Sequence, residues 1–266
     1  MEKLLLNEQE VLSKYREFRS IHKVSQFFGV SISPIRRILK NHGIELDNRR
    51  YKVDETYFDK IDSEEKAYWL GFLFADGYIR ERSSGCSLEL KLSYKDVEHL
   101  ELFREHLKSN HLIVEGYNSV KYKDGISKSH MVHLAIYSQK LVNSIKKQGI
   151  HSRKTFTIDS PNIENNLKRH FIRGYFDGDG SFTFNPTKSK NCTSIVSASE
   201  KFQKFVVEEL KRNNININLY DKIRLQIQNK LDNVNFYNYI YSDCKICLER
   251  KKQNYEKFRK HYRYNN

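Results

Sequence analysis

Trp69–Ile79 (WLGFLFADGYI) and Ile172–Phe182 (IRGYFDGDGSF) follow one pattern: a glycine, then Asp-Gly five residues later, at an offset of 103. Downstream, Leu92–Leu107 (LSYKDVEHLELFREHL) and Val196–Leu210 (VSASEKFQKFVVEEL) match at an offset of 104. Leu134–Leu141 (LAIYSQKL) and Asn238–Lys245 (NYIYSDCK) then share Ile-Tyr-Ser, again at 104. Three matches in one order make the chain after residue 60 two copies of one unit.

Each copy reads as helix, two strands, helix, two strands, helix. The first predicts helices over 63–76, 95–108 and 138–148, with strands over 78–82, 87–93, 112–122 and 130–137. Ser63 is its opening N-cap, with Glu64 and Glu65 in the first turn, where the helix dipole favours them. The second predicts helices over 164–178, 200–213 and 243–262, with strands over 181–185, 192–198, 221–228 and 234–241. The polar link 149–163 contains Ser160-Pro161, a boundary signal.

Gly71 and Ala75 lie four apart, as do Gly174 and Gly178, so each opening helix has one face almost without side chains. Two such faces can approach until their backbones nearly touch. A twofold-like arrangement then sets Asp76 beside Asp179 at the helix C-terminal ends. Carboxylates there are disfavoured by the dipole and by each other. A single Asp-Gly is an ordinary helix-ending turn pair. The same unfavourable choice in both copies calls for a divalent cation, and oxygen ligands suit Mg2+ or another such as Mn2+. DGDGS at Asp177–Ser181 is not a calcium loop, because Phe182 stands where that loop needs glycine. Asp177 has Phe74 as its counterpart and reads as a supporting residue.

These motifs and their flanks, AYWLGFLFADGYI and KTFTIDSPNI before HFIRGYFDGDGSF, resemble the LAGLIDADG homing endonucleases in their single-chain, two-motif form. The resemblance spans about residues 57–260. It implies an α+β fold of two pseudo-twofold related αββαββα subdomains, whose strands form a saddle along the DNA major groove. It also implies metal binding by Asp76 and Asp179, and cleavage of both strands of a long site with short 3′ overhangs. An auxiliary polar residue of the family falls on Tyr94 and Ala198, and Ala198 cannot play that role. An auxiliary lysine falls on Arg153 or Lys154 in the first copy, with Lys154 preferred. Lys257 is a loose match in the second.

The N-terminal segment SIHKVSQFFGVSISPIRRILKNHGIEL has helix-turn-helix spacing: Ser25, Gly29 at the turn, Ile35, and apolar Val24, Phe28, Val30 and Ile38. Ser31 would cap the second helix, and Pro34 is tolerated in its first turn. Arg36, Arg37 and Lys40 would face DNA. The expected domains are therefore 1–46 (a small all-α helix-turn-helix module), 47–60 (a basic linker), 61–155 and 156–266.

The formal net charge is +14, and residues 161–266 carry 20 Lys/Arg against 11 Asp/Glu. Such a surplus points to an anionic partner, here double-stranded DNA. Alternating residues Lys91, Lys121, Lys123, Lys188, Lys190, Arg224 and Gln226 are candidate DNA contacts on the strands. The longest apolar run, Ala67–Ala75, is too short for a membrane span and the start lacks a signal-peptide pattern, so an intracellular, nucleic-acid-associated protein is expected. Cys86, Cys192, Cys244 and Cys247 suggest no disulfide framework, and one CxxC pair does not make a zinc site. No protein-splicing signature is expected either. The reading is a monomeric, Mg-dependent, site-specific DNA endonuclease. The alternative on the same scaffold is a non-cleaving intron maturase, binding intron RNA, or a DNA-binding repressor.

Overall fold

The structure is a computed structural model that describes residues 6–18, 20–44, 51–83, 85–122, 125–152, 154–185, 187 and 190–262. It divides into a small unit, Met1–Arg50, and a large one, Tyr51–Asn266. In the small unit α1 (Glu8–Phe18), α2 (Ile21–Phe28) and α3 (Ile32–Asn41) enclose Val11, Leu12, Ile21, Val24, Ile35, Ile38 and Leu39. The Ser20 side chain accepts from Lys23 N–H to cap α2, and Gly29 at φ 63° ends it in the left-handed region that glycine tolerates. Ser25 Oγ donates to the Val30 carbonyl at 2.5 Å, closing the turn. Ser31 sits at the N-cap of α3, but its side chain makes no capping bond.

The large unit begins with α4 (Glu64–Asp76), β1 (Gly77–Arg82), β2 (Gly85–Ser93), α5 (Val97–His106), β3 (Ile113–Tyr122), β4 (Gly125–Tyr137) and α6 (Gln139–Lys147). The second copy comprises α7 (Lys168–Asp179), β5 (Gly180–Asn185), β6 (Lys190–Val196), α8 (Glu200–Arg212), β7 (Asn218–Leu219), β8 (Arg224–Ile227), α9 (Lys230–Tyr241) and α10 (Glu249–His261). The two antiparallel sheets have matching orders, β1-β2-β4-β3 and β5-β6-β8-β7, so the duplication is one of topology. Residues expected as linker belong partly to this unit: Tyr57 and Phe58 are buried in its core, and Asp54 N–H donates to the Leu107 carbonyl at 2.8 Å.

One sequence match is not a structural equivalence. Gly77, Leu90 and Leu134 form one row of the first sheet, and Gly180, Ile195 and Leu225 form the corresponding row of the second. Leu134 therefore corresponds to Leu225, not Asn238. The second hairpin is shorter, with strands of 2 and 4 residues against 10 and 13. The expected strand 234–241 is α9, which Asn229 caps by accepting from the Leu231 and Asp232 amides. Residues 243–248 form the connection to α10 rather than helix.

Helices α4 and α7 are the spine of the large unit. Ala67 through Phe74 are all buried, so α4 is enclosed on every side. Contact between the helices is made by backbone. A Cβ at Gly71 would lie 2.0 Å from the Phe171 carbonyl oxygen, and one at Gly174 would lie 1.9 Å from that of Tyr68. These two contacts are twofold counterparts in the duplication. Gly71→Ala and Gly174→Ala are each expected to destabilise the large unit by about 3 kcal/mol or more, since backbone cannot yield as a side chain does. Gly116→Ala, with nothing within 4 Å of the new methyl, is expected to change stability by less than about 0.5 kcal/mol. Chemical denaturation of the three variants checks both.

Candidate active site

Asp76 and Asp179 are the last residues of α4 and α7, and Gly77 and Gly180 carry the chain directly into β1 and β5. Close packing continues to this end: a Cβ at Gly178 would lie 2.4 Å from that of Ala75 and 3.1 Å from Asp76 Oδ2. The Asp76 carboxylate thus lies over a residue that has no side chain to displace it. Asp76 is half-buried, while Asp179 keeps an open face to solvent. Burial, reinforced by the Asp179 charge, pushes the Asp76 carboxyl up to about 6. Asp179 is also raised, because the protein around it excludes water even though one face is open, and Lys154 and Lys251 oppose the rise.

Two ammonium groups flank the carboxylates. Lys154, at the start of a 3-10 turn (Lys154–Phe156), donates through Nζ to the carbonyls of Phe74 and Ala75. Lys251, in the first turn of α10, donates to the carbonyls of Phe176 (2.8 Å), Gly178 (3.1 Å) and Gly180 (2.6 Å). Both lysines donate to carbonyls at the C-terminal ends of the spine helices, and Lys251 also reaches the first carbonyl of β5. Burial lowers both lysines to about 8; Asp179 and Asp76 oppose this at Lys154, and at Lys251 Asp177 opposes it first, then Asp76 and Asp179, with Arg250 adding to the fall. Sequence offset missed Lys251 because the short second hairpin changes the spacing. Lys257 is exposed further along α10, and Arg153 lies outside the described residues. A basic residue in the first turn after the last strand-and-helix pair was the available signal.

The surroundings differ between the copies. Phe74 packs edge-on against Phe171, with ring centroids 5.0 Å apart. Its counterpart Asp177 is fully buried and accepts from Tyr68 Oη (2.9 Å), Tyr241 Oη (2.6 Å) and the Leu248 amide (2.7 Å). Arg173, also fully buried, donates to the carbonyls of Ile246 and Ile240 and to Glu64 Oε1 at 2.6 Å. Together they fasten the α9–α10 connection to both spine helices. Arg250 reaches the first copy, forking onto Asp96 at 2.7 and 2.9 Å.

Lys91, Lys190, Arg224 and Gln226 lie on the faces of the sheets opposite their buried aliphatic rows. Lys91 donates to Asn118 at 2.6 Å, and Arg224 pairs with Asp221 and lies over the Tyr220 ring. Lys121 pairs with Ile126 by backbone register, but its side chain, like all of Lys123 and Lys188, lies outside the described residues. Composition did not anticipate that the Lys91 face also exposes Tyr78, Val114, Val120 and Tyr137. Tyr94 stacks flat on His130, centroids 4.0 Å apart. Arg36, Arg37 and Lys40 are exposed on α3. No helix among the described residues is long and apolar enough to cross a membrane.

Residues 166–261 match the profile of the LAGLIDADG-like domain, and the large unit has the LAGLIDADG fold. Among solved structures, the homing endonuclease I-WcaI bound to its DNA recognition sequence aligns with a TM-score of 0.52 at 12% identity, covering 75% of this chain and 90% of that one. The N-terminal LAGLIDADG domain of DUF199/WhiA aligns at 0.45 and 20% identity, covering 72% and 90%. The replication factor C small subunit of Methanocaldococcus jannaschii is 26% identical over 204 residues, 76% of this chain and 10% of that protein. The chain therefore spans about a tenth of that curated relative's length.

An acid whose folded pKa lies above its unfolded value binds extra protons only in the folded state between the two values. Asp76, moved from 3.8 to about 6, therefore contributes stability below that window and loses it as pH rises through it. In chelator, folding stability is expected to fall by about 1–3 kcal/mol between pH 4 and pH 6 from this group. Asp76→Asn should flatten that slope in denaturation curves taken across the range.

Proposed function

We propose that this protein is a site-specific double-strand DNA endonuclease that hydrolyses one phosphodiester in each strand of a long asymmetric target, leaving short 3′ overhangs. The observation that carries the reading is the pairing of Asp76 and Asp179 over side-chain-free helix ends, each raised by burial and each flanked by a lysine. As structural carboxylates they would be a liability in both copies. As ligands they are the reason for the arrangement.

The donor set fits a magnesium-type cation. Among the described residues no three His, Cys, Asp or Glu side chains converge, so a full protein cage of the kind structural zinc or calcium sites use is not formed there. Magnesium is commonly held by one or two carboxylates and takes its remaining oxygens from water and phosphate. Asp76 and Asp179 would hold it. When bound, such a cation supplies Lewis acidity toward a phosphoryl oxygen and lowers the pKa of water.

The chain's own contribution is positioning and charge. Lys154 and Lys251, lowered by burial to about 8, stay mostly protonated at neutral pH. Their ammonium groups also offset phosphate charge beside the two carboxylates. On the sheets, Lys91, Lys190, Arg224 and Gln226 would meet phosphates and base edges, whereas backbone register puts Lys121 in the alternation of Ile113, on the other face of the first sheet. In the small unit, Arg36, Arg37 and Lys40 on α3 would add phosphate contacts as a helix-turn-helix module. Two copies in one chain supply one acidic residue for each strand, so a monomer suffices.

Magnesium-dependent cutting of a randomised duplex library tests the reading and reveals the target. Asp76→Asn and Asp179→Asn are each expected to lower cleavage at least about a thousandfold, with duplex affinity nearly unchanged by gel shift. Full cutting by either variant would exclude the mechanism. Tight, salt-sensitive binding by the parent without cutting would favour the repressor, and preference for RNA over duplex the maturase. Lys251→Met should lower kcat by about a hundredfold while leaving Kd within about twofold.

A further inference from the structure

We propose that Arg80, on the sheet face that carries Lys91, recognises one guanine of the target in the major groove, and that Glu89 holds it in place to do so. Register puts Tyr78, Arg80, Ser87, Glu89, Lys91 and His133 on this face: Tyr78 pairs with Glu89, Arg80 with Ser87, and Lys91 with His133. Arg80 and Glu89 are thus diagonal neighbours across β1 and β2, within reach of long side chains.

Their contact is a two-pronged fork. Arg80 Nε donates to Glu89 Oε1 at 2.6 Å, and Nη2 donates to Oε2 at 2.8 Å. Glu89 is itself fixed: its side chain is 9% exposed, Ser87 Oγ donates to Oε1 at 3.0 Å, and His133 Nε2 stands 3.5 Å from Oε2. The Tyr78 ring lies beside the guanidinium, with its centroid 5.7 Å from the central carbon. Arg224 on the second sheet is held less firmly, because its Nε and Nη2 lie 2.6 and 2.5 Å from one and the same oxygen of Asp221.

A lone carboxylate on a DNA-facing surface would oppose binding. Glu89 is covered by its donors, and the arginine, 43% exposed, is the group that meets the groove. Engagement through Nε and Nη2 occupies one edge of the guanidinium and leaves its end free. Nη1 makes no hydrogen bond among the described residues, and Nη2 keeps a second hydrogen beside it. Two parallel donors match guanine O6 and N7, whereas adenine sets an amino group where one acceptor is needed. Because the fork is tethered, it cannot swing away to a phosphate, so the wrong base leaves a donor unmet. The inference rests on the endonuclease reading above, since it needs duplex DNA on this face.

The test is a binding selection on a randomised duplex library with the full chain, magnesium being chelated so that bound duplexes stay intact. Gel shifts then compare the enriched target with versions substituted one pair at a time. At one G·C pair the parent should prefer guanine by about tenfold or more. Arg80→Lys keeps a positive charge beside Glu89 but loses the fork, so preference at that pair should fall below about threefold while the other positions hold. Glu89→Gln, with Arg80 intact, should relax the same pair, whereas a purely structural Glu89 would lower the melting temperature and alter no single position. Arg80→Ala weakening every sequence alike, with the salt slope reduced by about 1, would mark a phosphate contact and overturn the proposal. Unchanged preference in Arg80→Lys would overturn it as well, leaving the endonuclease reading standing. A parent that selects no duplex at all would bring down that reading and this inference together.

Discussion

Contact between two helix backbones, at Gly71 on one side and Gly174 on the other, is the constraint on which the large unit depends. Neither position has room for a methyl group, because each faces a carbonyl oxygen at about 2 Å from where that methyl would stand. Helices usually pack 8–10 Å apart, separated by side chains. Here the separation is set by main chain. Large residues flank the contact: Trp69, Phe72 and Phe74 on α4, Phe171 and Phe176 on α7, with the Phe74 and Phe171 rings meeting between the helices. One narrow bare stripe therefore fixes the spine, and the aromatic remainder anchors each sheet to it.

That same contact creates the electrostatic problem at the helix ends. Bringing two C-termini together gathers unpaired carbonyls, each bearing partial negative charge, and the sequence adds a carboxylate at each. Lys154 and Lys251 answer both difficulties with one group apiece, donating to the carbonyls while their charges face the aspartates. Two negative and two positive groups balance formally, yet burial pushes each toward its neutral form. Acids rise and lysines fall, the expected behaviour when water is removed from a cluster of charges.

The duplicated motif was legible because its physical demand is local. Gly71 and Asp76, like Gly174 and Asp179, lie within two turns of one helix, where spacing in sequence is spacing in space. What lay beyond the motif depended on loop lengths. Ile-Tyr-Ser recurs at 136–138 and 240–242, but the first occurrence ends β4 and the second ends α9, since the second hairpin is much the shorter. An offset carried past that difference in length misaligned everything after it, Lys251 included. The buried partners of Asp177 were illegible for a different reason: Tyr68, Tyr241 and Leu248 are brought to it by tertiary packing alone.

The two halves place their lysines beside the aspartates by different supports. Lys154 arrives on a 3-10 turn after α6, whereas Lys251 arrives on a regular helix fastened through Leu248 and Arg250. At the position two residues before each aspartate, one copy has an aromatic ring in the core and the other a carboxylate with three donors. Either arrangement fills the space, so that position answers to packing. Asp76 and Asp179 have diverged in nothing, although the environment penalises the charge at each. Fold stability alone would favour an uncharged side chain there. A carboxylate held twice against its own electrostatics is the ground on which a bound cation is proposed for the pair.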